Sequence, residues 1–191
     1  RYPRKRSAIM PLLHYVQSVS GYVTNDGIEL ISKLLEIETA EVSAVATFYT
    51  QYKRKPVGEY HVGVCTNTLC AVMGGDAIFS ALKEHLNIEN DGVTEDGKVS
   101  LEHIECNAAC DYAPVVMANW EFYDNQTVES AKTLVDGARA GNPPAPTRGP
   151  NRLVTYKEAS AVLAGLDDGL AREGVQAGGP TLLGLKLSKE G

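Results

Sequence analysis

Four cysteines are the residues of this chain best placed to do chemistry, and they fall in two close pairs. Cys65 and Cys70 lie in CTNTLC, a C-x4-C spacing, and Cys106 and Cys110 lie in CNAAC, a C-x3-C spacing. Thirty-five residues separate the pairs. Thiolate sulfur is a soft metal donor, and two loops that each present a close pair supply four of them. A binuclear (2Fe–2S) iron–sulfur cluster asks for that set, two thiolates on each iron with sulfides bridging the metals. Structural zinc also takes four thiolates, although its pairs are usually C-x2-C knuckles. Disulfides are a third use, but they belong to oxidising compartments and nothing here points to secretion. Thioredoxin-type exchange is disfavoured because the chain has no C-x-x-C. Small neighbours, Gly74, Gly75, Ala108 and Ala109, leave room for backbone N–H groups to approach sulfur. His14, His61, His85 and His103 are scattered and read as structural or surface residues. No P-loop, G-x-G-x-x-G fingerprint or nucleophile elbow is present, so a nucleotide or flavin site is not visible in this chain.

To bring two distant pairs together, the chain needs elements that end at the same place. Tyr60, Val62 and Val64 alternate with His61 and Gly63, a period of two that predicts a strand ending at Cys65. A second strand is predicted near 99–104, leading into Cys106. If the two strands are parallel neighbours, both cysteine loops leave the same end of the sheet and converge. Between them, Gly74-Gly75 and an N-cap at Asp76 predict a helix with Ile78, Leu82 and Leu86 on one stripe. Pro114 introduces Val115–Ala118, Asn119-Trp120 turns the chain into Glu121–Tyr123, and Thr127 caps a helix to about Arg139.

Upstream, residues 9–52 read as helical. Helices are expected over Pro11–Ser20, after an Asp26/Glu29 capping box, and after an N-cap at Thr39. Phe48, Tyr49 and Tyr52 are expected to pack between helices. The divisions predicted are a helical domain at 1–55, a β-α-β-β-β-α domain at 56–141, and a Gly/Pro-rich extension at 142–191. The order suits an α+β fold, a small mixed sheet flanked by helices of thioredoxin-like type. The extension offers one weak helix around Ala159–Leu166, and its apolar end, TLLGLKL, is expected to dock on the body or on a partner rather than stay free in water.

With 43% hydrophobic and 22% charged residues, the chain has material for a real core. It has no apolar run near the roughly 18–20 residues that span a bilayer. The basic start, RYPRKR, reads as a solvated arm. A formal net charge of −6 argues against nucleic acid. That net charge resides in residues 89–111, where seven acidic side chains face one lysine, just ahead of and within the second cysteine pair. Negative charge near a cluster disfavours adding an electron and lowers its potential.

VATFYTQY at 45–52, CTNTLC with the Gly-Gly after it, and ECNAACDYAPVVMAN at 105–119 resemble the E-chain family of bacterial NADH–quinone oxidoreductases, over about residues 9–140. The resemblance implies a thioredoxin-like ferredoxin domain preceded by a small helical bundle and followed by an extended tail. It implies a 2Fe–2S cluster on Cys65, Cys70, Cys106 and Cys110. It also implies docking against an F subunit that carries FMN, the NADH site and a 4Fe–4S cluster, in a peripheral arm on the cytoplasmic side of the inner membrane. In that family the cluster lies beside the flavin, off the main route to quinone, and a role in holding the flavin's second electron is proposed. The same module serves NAD-linked hydrogenases and formate dehydrogenases. A stand-alone ferredoxin and a zinc-stabilised interaction module are the more distant alternatives.

Overall fold

The segment from Tyr60 to Cys65 forms β1 and is buried at every position, which an alternating sequence alone does not dictate. The reason is its place at the centre of a five-stranded sheet, order β2-β3-β1-β4-β5. The other strands are β2 (Gly92–Val93), β3 (Val99–Ile104), β4 (Val116–Ala118) and β5 (Glu121–Tyr123). β1 pairs with β3 in parallel and with β4 in antiparallel, and β5 follows β4 across the Asn119-Trp120 turn. Residues 2–190 are described by this computed structural model.

One sheet face carries the larger core. Val62, Val64, Val99 and Leu101 pack with Ile78, Leu82 and Leu86 of α5 (Gly75–Leu86) and with Ala131, Leu134 and Val135 of α6 (Val128–Arg139). The other face is polar at its centre. The buried His61 ring bonds Ser100 Oγ at 2.9 Å and Glu102 Oε2 at 2.9 Å, and Asn119 Oδ1 accepts from the His61 N–H at 2.7 Å. Every one of these groups therefore has a partner, as burial requires.

The helical core lies in a separate unit. α1 (Ile9–Ser20), α2 (Asn25–Leu35) and α3 (Thr39–Phe48) enclose Leu13, Ile28, Ile31, Val42, Ala46 and Tyr52. All three predicted helices form, but two caps differ. Thr24 rather than Asp26 caps α2, its hydroxyl accepting from the Gly27 N–H. Glu38 rather than Thr39 caps α3, in a capping box with Glu41. α5 likewise starts from Gly74 in the left-handed region, with Asp76 inside its first turn. Each shift is local: at α2 and α3 the side chain that reaches the free N–H groups wins, and at α5 a glycine that tolerates the left-handed turn takes the place. Of the aromatic trio, Tyr52 is buried, whereas Phe48 is 77% exposed and Tyr49 is 41% exposed. The basic start is not a free arm either, since Lys5 pairs with Glu36 and Arg6 with Glu41.

The divisions also differ from those expected. One unit is Arg1–Glu59 with Val154–Asp168, and the other is Tyr60–Leu153 with Gly169–Gly191. The extension after 142 is thus no separate part, because its buried apolar residues, Leu153, Val154, Tyr156 and Ala159, fall in both units. Leu153 joins the sheet core, while α7 (Tyr156–Leu163) packs on α1. Tyr156 donates its hydroxyl to Gln17 Oε1 at 3.0 Å, and Gln17 Oε1 also accepts from the Lys53 N–H at 2.6 Å. α8 (Gly179–Glu190) carries the apolar end, and its leucines remain exposed. No helix among the described residues is long and apolar enough to cross a membrane.

Burial on the Tyr52 ring pushes His14 down to about 4. Unfolded, it titrates near 6.5, so between about 6.5 and 4 the unfolded chain binds the extra proton. Stability of the helical unit should therefore fall as pH drops through that window. The denaturant midpoint of this unit, measured at pH 7 and pH 4.5, should decline, and His14→Leu should flatten the decline.

Candidate metal centre

Register places the thiols. Cys65 ends β1 beside Ile104, the last residue of β3, so the loop carrying Cys106 and Cys110 starts next to it. The Cys65 N–H donates to Val115 O at 3.1 Å, which draws the chain after Cys110 against the same point. Cys70 is carried by α4 (Thr68–Val72), a one-turn helix that the sequence pattern does not predict. Cys110 opens a 3₁₀ turn that runs to Tyr112. Cys65 and Cys70 are buried with Ala109, Ala113 and Val115, and Cys106 and Cys110 face outward.

All four thiols are free. Cys106 and Cys110 have their sulfurs 3.7 Å apart, far beyond a disulfide bond. That separation is close to the edge, about 3.8 Å, of a tetrahedron with metal–sulfur bonds of about 2.3 Å. The spacing of the pair thus matches two ligands of one tetrahedral metal ion. The Ala108 N–H lies 3.3 Å from Cys106 Sγ, in the left-handed conformation that lets a backbone donor turn back on the sulfur. The Cys70 thiol is hydrogen-bonded with that of Cys65, and the charge of both Cys65 and Cys110 is felt at Cys70. The thiols thus stand as two adjacent pairs. Among the described residues no group of three His, Cys, Asp or Glu is gathered to hold a single ion. A binuclear centre takes two thiolates on each iron.

Electrostatics say what such a centre must supply. Burial first, then hydrogen bonding to Cys65, pushes Cys70 up to about 11. Cys110 is raised by its hydrogen bond to Cys106 and by the charge there, with Asp111 adding to it. Left to themselves these sulfurs keep their protons, because packed thiolates without a cation repel one another. A metal displaces the protons and offsets that repulsion.

One residue with a part in the geometry, Asn67, carries no signal in the sequence. Asn67 Nδ2 donates to Glu105 Oε2 at 2.8 Å, linking the first cysteine loop to the second. Asn67 precedes α4, where an Asn ordinarily caps with its own side chain, yet it makes no cap bond and spends its amide on Glu105. Gly75, one of the small neighbours of the thiols, has a part as well. A Cβ there would come 2.4 Å from Cys65 O and 2.9 Å from Cys70 O. The histidines stay out of the centre, as expected. His14 and His61 are buried elsewhere, His85 bonds Asp136, and the His103 ring lies edge-on to Phe79.

Residues 1–139 match the family of thioredoxin-like [2Fe-2S] ferredoxins. The chain is 59% identical over 191 residues to the NADH-quinone oxidoreductase E subunit of Mycobacterium tuberculosis, covering all of this chain and 75% of that one. This chain is a member of the thioredoxin-like [2Fe-2S] ferredoxin family, among the E subunits of NADH-quinone oxidoreductases. The corresponding E subunit of Rickettsia bellii is 42% identical over 142 residues, covering 73% of this chain and 85% of that protein. The C-terminal extension is therefore shared with the mycobacterial relative, outside the residues that match the family. Among solved structures, an NAD+-reducing [NiFe]-hydrogenase in its air-oxidized state has the same fold, with a TM-score of 0.62 at 19% identity. The similarity covers 75% of this chain, which spans a quarter, 25%, of that hydrogenase chain.

Gly75→Ala should force the Cys65 and Cys70 carbonyls apart and cost about 1–3 kcal/mol, as overpacking does. Urea unfolding of the variant should show the loss as a lower midpoint. An unchanged midpoint would mean that the loop yields to the methyl without cost.

Proposed function

We propose that this chain is the electron-transfer subunit of a respiratory NADH:quinone oxidoreductase, complex I, with one 2Fe–2S cluster on Cys65, Cys70, Cys106 and Cys110. The observation that carries the reading is the delivery of two free thiol pairs to one end of the sheet by the parallel pair β1 and β3. Identity of 59% across the whole chain to a mycobacterial E subunit supports the complex to which it belongs. Such a cluster, when bound, takes up and releases one electron at a time.

The residues of this chain have three tasks in that reading. Cys65 and Cys70, buried with Ala109, Ala113 and Val115, would supply two of the thiolates. Cys106 and Cys110, which are exposed, would supply the other two on the side open to a partner. The Ala108 N–H and the Asn67–Glu105 link keep the sulfurs and the two loops in place. FMN and NADH belong on the partner, the F subunit, against which the outer loop docks. The assembly would stand in the peripheral arm at the cytoplasmic face of the inner membrane. The equivalent subunit of an NAD-linked hydrogenase is the second reading, favoured by the shared fold; the chains that co-purify with this one decide between them.

Anaerobically purified protein should contain two irons and two acid-labile sulfides per chain, with a rhombic spin-half EPR signal after dithionite reduction. Zinc without sulfide, and no signal, would overturn the proposal. The acidic side chains nearest the thiols, Glu105 and Asp111, should hold the potential down. Neutralising both as Glu105→Gln and Asp111→Asn should raise the midpoint on the order of tens of millivolts in a dithionite titration followed by EPR.

A further inference from the structure

The extension returns to the sheet unit twice, and both returns meet the second cysteine loop. At the first, the Thr147 N–H donates to Phe122 O at 2.9 Å and the Thr147 hydroxyl contacts Asp124 Oδ2 at 2.9 Å. Beside it, Arg148 pairs with Asp124 at 3.0 Å, both side chains largely buried. The Arg148 guanidinium lies 4.1 Å over the Phe122 ring and 5.2 Å over that of Tyr112. At the second return, the Thr181 hydroxyl bonds Asp111 Oδ2 at 3.0 Å. Gly178 is pressed so close to Tyr112 that a Cβ there would fall 1.7 Å from the phenol oxygen.

The two returns are tied to each other. The Gly149 N–H donates to Val175 O at 2.9 Å, and the Asn151 N–H reaches Glu173 Oε2 at 3.4 Å. Gly174 packs on Gly149 with a φ of +66°, and a Cβ at Gly174 would meet the Gly149 carbonyl oxygen at 1.8 Å. Asp111 and Tyr112 directly follow Cys110, and the Tyr112 carbonyl in turn accepts from the Asn125 N–H at 2.8 Å. The loop carrying the outer thiols is thereby gripped on its C-terminal side by residues that follow it by thirty or more positions.

We propose that residues 147–149 and 173–181 form a clasp that positions the Cys106–Cys110 loop and slows its opening. A 3₁₀ turn of three residues holds itself poorly, and this one has Cys110 as its first residue. An aromatic–cation stack, a buried ion pair and a hydroxyl bond from outside the turn all add to its hold. The clasp is a property of the fold and stands without the cluster. Its consequence for cluster retention rests on the ligation proposed above.

The test is hydrogen exchange on the full chain and on two variants that leave the cysteine loop untouched. Gly174→Ala drives a methyl into the Gly149 carbonyl and breaks the join between the two returns. Arg148→Ala removes the stack and the ion pair. Amides of Tyr112, Ala113 and Asn125, which are hydrogen-bonded in the loop, should exchange about tenfold faster in both variants. Amides of β1 and β3 should keep their protection. Loop amides that exchange as in the parent chain, or a loss spread evenly over the sheet, would overturn the clasp. In iron-loaded protein, bleaching of the visible absorbance by a chelator should accelerate about tenfold as well. Faster loop exchange in a chain that never binds iron would uphold the clasp and refute the ligation.

Discussion

One register, Cys65 beside Ile104, decides where all four sulfurs can lie. A slip of β1 by one residue against its neighbours would turn Cys65 to the opposite face, since side chains alternate along a strand. Because β3 runs parallel to β1, the loops that follow them leave the sheet at one end. Parallel neighbours need a covering crossover, and α5 provides it by burying Ile78, Leu82 and Leu86 on the sheet. The hydrophobic stripe of α5, which carries no cysteine, is thus a condition for bringing the two thiol pairs to one end of the sheet. So is the close approach of Gly75 to the Cys65 and Cys70 carbonyls, where α5 begins.

Burial and charge act on the two pairs in opposite proportions. The inner pair sits among alanines and Val115, so desolvation governs Cys70. The outer pair is exposed, and Cys110 is raised first by its hydrogen bond to Cys106 and least by Asp111. The acidic run that precedes it is not a uniformly solvated loop. Glu102 is engaged with the buried His61, Asp96 with Arg139 and Thr94, Glu105 with Asn67, and Asp111 with Thr181. Hydrogen bonds hold these carboxylates at fixed positions without removing their charge. A fixed charge contributes to a site's potential more reproducibly than a mobile one, which the solvent averages away.

The extension serves each unit by ordinary means. A capping box at Thr155 and Glu158 starts α7, and Tyr156 fills the helical core while its hydroxyl meets Gln17. Further on, Arg148, Gly174 and Thr181 close over the outer cysteine loop in the sheet unit. Its shared presence in the mycobacterial relative fits a segment with structural duties of its own.

The sequence by itself determined the pairs of thiols, the strands that end near them, the helices between, and the family. Those features depend on neighbours in the chain: spacing, a period of two or of 3.6, and Gly or Pro at a turn. The cap exchanges at Thr24 and Glu38 lay within that local range, but they turned on which side chain reached the free N–H groups. Tertiary structure decided the rest. The exposure of Phe48, the bond from Asn67 to Glu105, and the division of the extension between two cores all depend on residues distant in sequence. Composition marked residues 142–191 as Gly- and Pro-rich, which is equally true of a free tail and of a segment that must turn sharply between two surfaces. Only the positions of those surfaces, set by the folding of everything before residue 142, distinguish the two.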